Sequence, residues 1–521
     1  MSLYETNFTV LDWGIVALYL TSSIAIGIWA NRYVGNLSDY LVAGRTLRLR
    51  LALASMTGTE LGLVTVMYMS ELGFTQQYAS LYLALLETAA MLLFGLTGFV
   101  VYRLRQTAVM TVPEFYEQRY SQGVRVVGGV MMVLAGILNM GMFLKAGSQF
   151  LTAISGLQDE LYLKWIMTGL LALVLFYTVL GGMVSVVITD LIQFFVLGTG
   201  MLLIVGFVVW NVGFDGFSAV VTEHRGYYDP TSGINPADTF MSQDKLSGIG
   251  AIELFKMAIV IFSAAVLWPT SASRTLSVQN AGVAQKLYLF STIGLLARRA
   301  MPILWGIGAY YFFATHADLQ VALSDALADK EAPLSAWSAM PLYLAKIIPT
   351  GLLGLITAGM VAAFMSTHDS YLLCWSSVIT QDILAPLFGP LSQRTRILIT
   401  RMSIVAIGAV LLFWGLWYPL GSDLWNYMAI TGTVYLAGAL PVVVGGLYWR
   451  QASSVGAYIA LFGGLVGIGA LGPAIERLQG LGVELDGAQV TILTFVVSLV
   501  GFVAGSLLFP DRDRQVQREE S

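Results

Sequence analysis

The chain is poor in charged residues, and this scarcity is the first guide to its class. Only 11% of its 521 residues are charged, whereas soluble domains carry about a quarter. With one cysteine it can form no disulfide within the chain, and its three histidines do not show the spacing of metal ligands. It has no basic patch for nucleic acid and no catalytic motif. We therefore expect neither an enzyme nor a nucleic-acid-binding protein, and the sequence indicates no obligatory protein partner.

Apolar residues make up 57% of the chain, in continuous runs that are each long enough to cross a bilayer. These runs predict an all-α polytopic membrane protein with about thirteen transmembrane helices. For the eighth helix, 281–299 is either its beginning or a separate amphipathic helix on the membrane surface. The predicted spans are 10–31, 48–73, 78–103, 124–155, 161–181, 185–212, 249–275, an eighth that ends near 315, a ninth within 351–382, then 394–418, 424–448, 454–473 and 488–509.

Positive residues orient the predicted helices. With the N-terminus outside, most of the 27 Lys and Arg residues fall in loops on the inner side, Arg274, Arg298 and Arg299 among them. The outer loop 213–248 carries mostly acidic and turn residues instead. We therefore expect a protein of the plasma (inner) membrane, with its N-terminus outside and its C-terminus in the cytoplasm.

The apolar stretch 351–382 has a polar centre, AAFMSTHDS. Ala363, Ser366 and Thr367 are spaced i, i+3 and i+4, so they share one face of a helix. Hydroxyl and carbonyl oxygens suit a hard cation such as sodium. The alternative is that Ser366 and Thr367 are small residues that let helices pack closely, and the stretch taken alone favours this alternative.

The predicted second helix has a weak centre, SMTGTELG. Gly58 and Gly62 lower its helix propensity and Thr57 competes for backbone hydrogen bonds, so a break and an unbroken packing face remain equal alternatives. A break would expose carbonyls at mid-membrane, where irregular backbone is tolerated only in a cavity wall or buried in protein. Glu60 is costly at this depth, so it is a candidate for binding solute, unless it forms a structural ion pair, for instance with Lys145.

The predicted seventh helix has a similar weakness in IVIFSAAVLWPT. Pro269 lacks a backbone donor, so an interruption here would suit a solute site that includes Phe262 and Ser263, with a simple proline kink as the alternative. Asp190 and Gln193 open the predicted sixth helix. Asp190 either caps that helix or acts as an ionisable relay, and capping is the simpler local role.

Four motifs together resemble the sodium:solute symporter family, of the sodium–proline, sodium–pantothenate and sodium–glucose type. The resemblance covers about 40–457, and the second and third motifs are the most specific to the family. The motifs are SDYLVAGRTL at 38–47, YTVLGGMVSVVITDLIQ at 177–193, AAFMSTHDS at 362–370 and GGLYWRQASSVGA at 445–457.

The resemblance implies a LeuT-type fold, in which two inverted repeats of five helices form the core. Broken helices would open each repeat, which agrees with the weak centres of the second and seventh helices. The chain would then divide into a peripheral first helix and inner loop (1–47), a first repeat of helices 2–6 (48–212), an outer loop (213–248), a second repeat of helices 7–11 (249–450), and peripheral helices 12–13 with a short charged tail (451–521).

The resemblance also implies a sodium site between the second and ninth helices. Sodium would be the transported, coupling ion, and no other metal is expected. Asp190 matches an aspartate that the family links to sodium coupling, and Gln193 ends the same motif. Carried over by position, the sodium ligands would be the carbonyl oxygens of Gly58, Leu61 and Ala363 and the hydroxyl oxygens of Ser366 and Thr367.

The solute pocket matches the family less well. Glu60 stands where proline-type members have an aspartate, and Lys145 would favour a carboxylate if it faced the pocket. With Thr57, Phe262 and Ser263 they form the predicted solute-binding set. We therefore predict a sodium-coupled symporter that imports a small polar solute, an amino acid or a carboxylate, by alternating access. A solute sensor with the same fold and a proton-coupled transporter are the alternatives.

Overall fold

The computed structural model describes residues 2–30, 46–157, 159–222, 251–328, 334–389, 391–417, 424–482 and 485–511. Within these ranges the regular structure is helical, with no strand and one isolated bridge between Leu47 and Val278. The all-α prediction is therefore confirmed. Most of the predicted inner loop before 47, the outer loop from 223 to 248 and the tail from 512 onwards lie outside the described residues.

The helices are numbered here in chain order. Short 3-10 turns and one π-helical turn (Ile379–Leu384) join some of them. The α-helices are α1 Val10–Ala30, α2 Leu49–Glu60, α3 Leu63–Thr75, α4 Tyr82–Thr97, α5 Val101–Gln106, α6 Val112–Arg119, α7 Gln122–Ser155, α8 Glu160–Thr222, α9 Ala251–Leu267, α10 Pro269–Ser277, α11 Ala281–Thr315, α12 Ala317–Ala328, α13 Ala339–Ile347, α14 Leu352–Val378, α15 Ala385–Phe388, α16 Gln393–Trp417, α17 Leu424–Tyr448, α18 Ser454–Gly463, α19 Gly472–Gly480 and α20 Gly487–Leu508.

The chain crosses a membrane several times. In the described part, 9 helices are long and apolar enough to span a bilayer, or up to 11 if each of two bent helix pairs forms one span. Two shorter apolar helices, Val10–Ile26 and Lys164–Leu180, add to these. The predicted number of thirteen spans is not confirmed by length and composition, and it stays a prediction.

Two uncertain boundaries of the prediction are settled by the structure. The segment 281–299 is the beginning of α11, because Ala281–Thr315 is one continuous helix. The run α8 is interrupted at Gly182 and Gly213, whose φ angles of 56° and 67° glycine adopts easily. The prediction of a loop from 213 is wrong as far as Thr222, because Gly213 redirects the helix without ending it.

Both predicted helix breaks are present. The axes of α2 and α3 differ by 56°, and the break lies at Leu61 and Gly62. Between α9 and α10 the backbone of Trp268 is extended (ψ 129°), and Pro269 begins the next helix. The glycine, threonine and proline residues of these segments thus weaken the helices at the positions that the sequence indicated.

Helix α14 lies at the centre of the fold. In the span Leu352–Phe388, 89% of the most apolar window is buried, and α14 packs along α8, α1 and α7. Its first turn is fixed by Asp12 of α1, whose Oδ1 accepts hydrogen bonds from the backbone N–H groups of Gly351 and Gly354, both at 2.7 Å. This carboxylate satisfies two N–H groups that a helix start leaves unpaired, so it ties the start of α14 to α1.

Candidate ion and solute sites at the helix breaks

The polar face of α14 meets the break between α2 and α3. The Oγ1 of Thr367 lies 3.0 Å from the carbonyl oxygen of Ala363 and 3.3 Å from that of Thr59, so its single O–H can donate to either, and it joins α14 to the last turn of α2. Gly62 lies directly against it, since a Cβ atom on Gly62 would be 2.3 Å from Thr367 Oγ1. The structure thus brings the predicted hydroxyl ligand to the break itself.

The broken end of α2 supplies carbonyl oxygens to the same place. Leu61 leaves the helix (φ −85°, ψ 50°), and its N–H donates to Thr57. Among the described residues no backbone N–H donates to the carbonyl of Gly58 across the break. Unpaired carbonyls at a helix C-terminus carry partial negative charge, which favours a cation. All five predicted sodium ligands therefore belong to the two segments that meet here.

Asp190 is bound to the same face of α14. Its Oδ1 accepts a hydrogen bond of 2.8 Å from Ser366, and its Oδ2 accepts one of 2.7 Å from Ser55 on α2. Arg274 of α10 reaches Asp190 Oδ2 at 3.2 Å and is almost completely buried. Asp190 lies inside the run α8, so its role is not the helix cap that the sequence favoured locally.

The guanidinium of Arg274 joins four helices. Its Nη2 lies within hydrogen-bond distance of Thr59 on α2 (2.6 Å) and Ser370 on α14 (2.7 Å), besides Asp190 on α8 at 3.2 Å. A second carboxylate, Asp369, accepts hydrogen bonds from Ser370 (3.2 Å) and Tyr177 (2.9 Å) and is fully buried. Arg274 thus contacts Asp190 directly and Asp369 through the hydroxyl of Ser370, and the cluster has one negative charge in excess when both carboxylates are ionised.

Gln193 stands apart from this cluster. It is buried, one helical turn beyond Asp190, and it faces Tyr19 of α1. The structure brings Asp190 to the predicted sodium ligands and leaves Gln193 at the contact between α8 and α1.

A cavity of about 110 Å³ lies beside the ion site, between the two broken helices. Thr367 belongs to its wall, so the ion site and the cavity share a residue. Glu60 also lines it and accepts a hydrogen bond of 2.8 Å from Arg298 of α11. Arg298 in turn donates to Glu87 of α4 (2.6 Å), and Glu87 is bound by Arg299 as well. These four side chains, Glu60, Arg298, Glu87 and Arg299, form the charged wall of the cavity.

Aromatic side chains form two further parts of the cavity wall. On one side Trp268 donates to the hydroxyl of Tyr371 (2.6 Å), and the ring of Tyr371 packs against Phe143. On the other side Trp425 packs against Tyr68 and lies under the guanidinium of Arg299. The cavity is therefore charged along one wall and aromatic along two others.

Four of the five predicted solute-binding residues do not line this cavity, and only Glu60 does. On α9 the lining residues are Val260, Ile261, Ala264 and Ala265, so Phe262 and Ser263 point to the other face, where Phe262 packs against Phe94. Thr57 instead packs against Gly294 of α11. Lys145 of α7 is not in the wall, and the ion-pair partner of Glu60 is Arg298 rather than Lys145.

Three arginines that the prediction assigned to inner loops are buried side chains in the structure. Arg274, Arg298 and Arg299 are 1%, 6% and 4% exposed. The signal that could have placed them is the pair Arg298–Arg299 inside an apolar stretch, together with Glu87 and Glu60 in other apolar stretches. Buried charges need partners of opposite sign, so two arginines and two glutamates at membrane depth indicate one cluster.

The fold of this chain is similar to that of transporters whose structures have been solved. The structure matches that of a sodium-coupled sialic acid symporter, solved in a substrate-bound outward-open state, with a TM-score of 0.76 and 18% identity over 96% of this chain and 98% of that one. It also matches MhsT in complex with L-phenylalanine, with a TM-score of 0.53 and 12% identity over 88% and 98% of the two chains. The chain has the LeuT-type fold.

Sequence comparison then identifies the family. The model of the sodium:solute symporter family matches residues 40–467, and the chain belongs to this family. A sodium/glucose cotransporter of Vibrio parahaemolyticus is 25% identical over 88% of this chain and 85% of its own length. A sodium/proline symporter of Staphylococcus aureus (strain Newman) is 23% identical over 97% and 96%. Membership supports solute transport coupled to sodium, whereas the solute differs among these relatives.

Proposed function

We propose that the chain is a sodium-coupled secondary active symporter that imports a small polar organic solute by alternating access. The observation that carries the proposal is the contact of Thr367 with the broken end of α2, on the helix face from which Ser366 binds Asp190. Sodium bound by the carbonyls of Gly58, Leu61 and Ala363 and by the two hydroxyls would hold α2 against α14. Solute binding next to it would then be coupled to sodium binding, with equal effect in both directions.

The charges around Asp190 support a cation at this place. Asp190 and Asp369 face one guanidinium, that of Arg274, in a fully buried cluster. When both carboxylates are ionised, the cluster has one negative charge without a partner, which is costly in a buried site, and one sodium ion would bring the sum to zero. The membrane potential then contributes about 2.3 kcal/mol per charge and 100 mV to inward movement.

The arrangement of the chain is part of the proposal. We infer a first repeat from 48 to 212 and a second from 249 to 450, because an interrupted helix opens each of them. The orientation with the N-terminus outside and the C-terminus in the cytoplasm of a plasma-membrane protein still follows from the basic loops, even without the three buried arginines. An amino acid or a carboxylate, the solute class favoured by the sequence, loses one supporting residue because Lys145 does not line the cavity.

We expect Thr367→Val to keep the fold and to raise the sodium concentration for half-maximal uptake about tenfold or more, because valine has the same shape and offers no oxygen. The measurement is solute uptake into proteoliposomes as a function of external sodium. Thr357→Val is the matched control, because Thr357 lies on the same helix and its hydroxyl donates to the carbonyl of Leu353, one turn earlier, at 2.8 Å. Unchanged sodium dependence in Thr367→Val would refute the ligand assignment.

The same assay separates the alternatives. Uptake that follows pH and ignores sodium would favour proton coupling, with Glu60 or Asp190 as the proton carrier. Sodium-dependent solute binding without any uptake would favour a sensor. We expect neither result, because hydroxyl and carbonyl oxygens meet at the helix break and the family comparison supports sodium symport.

A further inference from the structure

A groove lies outside the ion and solute sites, where three apolar spans end on the same side of the bundle. The spans Gln77–Thr97 and Leu424–Tyr448 finish there, and the span Ala281–Thr315 begins there. The groove is open and has a volume of about 470 Å³. Its wall includes Thr97, Phe99, Tyr102, Arg103, Gln285 and Tyr448. Because spans end at the edge of the hydrocarbon layer, the groove lies at the level of the lipid headgroups.

Tyr448 is held in this groove by three contacts. Phe99 stacks on its ring, with the ring centroids 5.1 Å apart. The guanidinium of Arg103 lies 4.3 Å from the centroid of the same ring. The hydroxyl of Tyr448 accepts a hydrogen bond of 3.0 Å from the N–H of Val100. These contacts fix the turn between α4 and α5 against the end of α17, so the groove has a defined shape.

The turn between α4 and α5 is strained. Val100 has φ 62° and ψ −57° and is 2% exposed. This conformation is unfavourable for a β-branched residue, whereas Gly98, with φ 67°, adopts a positive φ easily. Strained backbone is kept where the surroundings hold it, and it clusters at binding and switch sites. The strain is therefore a second indication, independent of the groove, that this turn belongs to a site.

The groove carries a positive charge without a counterion. Arg103 donates through Nη1 to the carbonyl of Leu447 (3.0 Å), and no other hydrogen bond joins its guanidinium to a described residue. Among the described residues that line the groove there is no carboxylate. Arg103 is exposed, so its remaining N–H groups can bind two oxygens of a phosphate in parallel. Lys286, which follows Gln285 on α11, is exposed as well.

An apolar stripe leads away from the groove along α4. Leu93 lies one turn before Thr97, so the two share a helix face, and Leu93 and Leu96 are 41% and 66% exposed. A soluble phosphate would bind Arg103 and leave this stripe uncovered. A phospholipid would bind Arg103 through its headgroup and cover the stripe with an acyl chain. The continuity of positive charge and apolar surface therefore favours a lipid over a soluble anion.

We propose that the groove binds an anionic glycerophospholipid, with its phosphodiester on Arg103 and an acyl chain along Leu93 and Leu96. A zwitterionic lipid brings an ammonium group, which a groove of positive charge disfavours. The bound lipid joins the ends of α4, α11 and α17, three helices that also line the central cavity. In the orientation proposed above, the lipid belongs to the inner leaflet. The inference does not depend on the sodium or the solute site.

The test measures lipid binding to the purified full chain in detergent. The probes are phosphatidylglycerol, phosphatidylcholine with the same acyl chains, and inorganic phosphate, all at equal concentration. The readouts are the rise in unfolding temperature and the number of lipids retained in native mass spectrometry, because a ligand that binds only the folded state stabilises it. We expect the largest rise and at least one retained lipid with phosphatidylglycerol, and no rise with inorganic phosphate.

Two variants test the groove itself. Arg103→Gln should lower the affinity for phosphatidylglycerol about tenfold or more, because it removes the charge and the parallel donors. Tyr102→Glu places a carboxylate in the groove and leaves the contacts of Arg103 with Leu447 and Tyr448 in place, so it should abolish the preference for the anionic lipid. Arg394→Gln is the control, since it removes an exposed arginine of α16 outside the groove.

Three results would overturn the proposal. The first is an equal rise with phosphatidylglycerol and phosphatidylcholine. The second is an equal rise with inorganic phosphate, which would indicate a site for soluble anions. The third is a lipid preference in Tyr102→Glu like that of Arg394→Gln, and this comparison decides even if Arg103→Gln does not fold. None of these measurements uses sodium or transport, so such a result leaves the proposed function as it stands.

Discussion

Gly62→Ala is expected to reduce sodium-dependent uptake to background. The backbone of Gly62 (φ −72°, ψ 151°) suits any residue, so the requirement for glycine is one of space. A Cβ atom there would lie 2.3 Å from Thr367 Oγ1 and 3.2 Å from its Cβ and Cγ2. Relief of this overlap must move Thr367 away from the break, and it moves the hydroxyl that we assign to sodium. Uptake in proteoliposomes and the stabilisation of the protein by sodium should both be lost.

Gly206→Ala provides the matched control for this change. Gly206 lies in α8, and a Cβ atom on it would have nothing within 4 Å. Alanine there should leave uptake and its sodium dependence as in the wild type. If Gly62→Ala behaves like Gly206→Ala, Thr367 is not held against the break in the way that the structure shows, and the ion site must lie elsewhere.

Glu87→Gln is expected to lower the free energy of unfolding by about 3–5 kcal/mol, which is the usual cost of removing one partner from a buried ion pair. Glu87 binds both Arg298 and Arg299 at membrane depth. Glutamine leaves Arg298 with Glu60, whereas Arg299 loses the carboxylate that compensates it. The measurement is equilibrium unfolding of the purified variants in mixed detergent micelles.

A second substitution in the same cluster tests this explanation of Glu87→Gln. The double variant Glu87→Gln with Arg299→Gln removes the orphaned charge, so it should be more stable than Glu87→Gln alone. Glu117→Gln should change stability by about 1 kcal/mol or less, because the side chain of Glu117 is 40% exposed and its partner Arg125 keeps Asp382 at 2.8 Å. Equal losses in Glu87→Gln and Glu117→Gln would show that the buried pairs of Glu87 contribute no more to stability than an exposed pair does.

The helix breaks could be predicted because their causes are local. Gly58, Gly62 and Pro269 weaken a helix through their own backbone, whatever surrounds them. The common face of Ala363, Ser366 and Thr367 follows from helical spacing alone. Such features depend on a few neighbouring residues, so they can be predicted from a single sequence.

The partners of the charged residues could not be predicted in the same way. Ser366 and Asp190 are 176 positions apart, and Arg298 is 238 positions from Glu60 and 211 from Glu87. Hydropathy describes each apolar stretch separately, and the count of positive residues treated Arg298 and Arg299 as loop residues. Only the packing of α11 against α2 and α4 shows that they are buried counterions.

The rotation of α9 about its own axis could not be predicted from the sequence either. Its small residues predicted a solute site on this helix, and the face that lines the cavity contains Ala264 and Ala265 rather than Ser263. The rotation of the helix about its axis is fixed by tertiary contacts such as that between Phe262 and Phe94. A helix with apolar residues all round gives no internal signal for this rotation.

The central claim is that the cluster of α2, α8 and α14 binds sodium. Its most direct test is the thermal stability of the purified protein in detergent, with sodium compared with potassium or choline at equal ionic strength. A ligand that binds only the folded state stabilises it by RT ln(1 + [L]/Kd). We expect a rise in unfolding temperature that is specific to sodium and is lost in Thr367→Val. Equal stability in all three salts would contradict the claim.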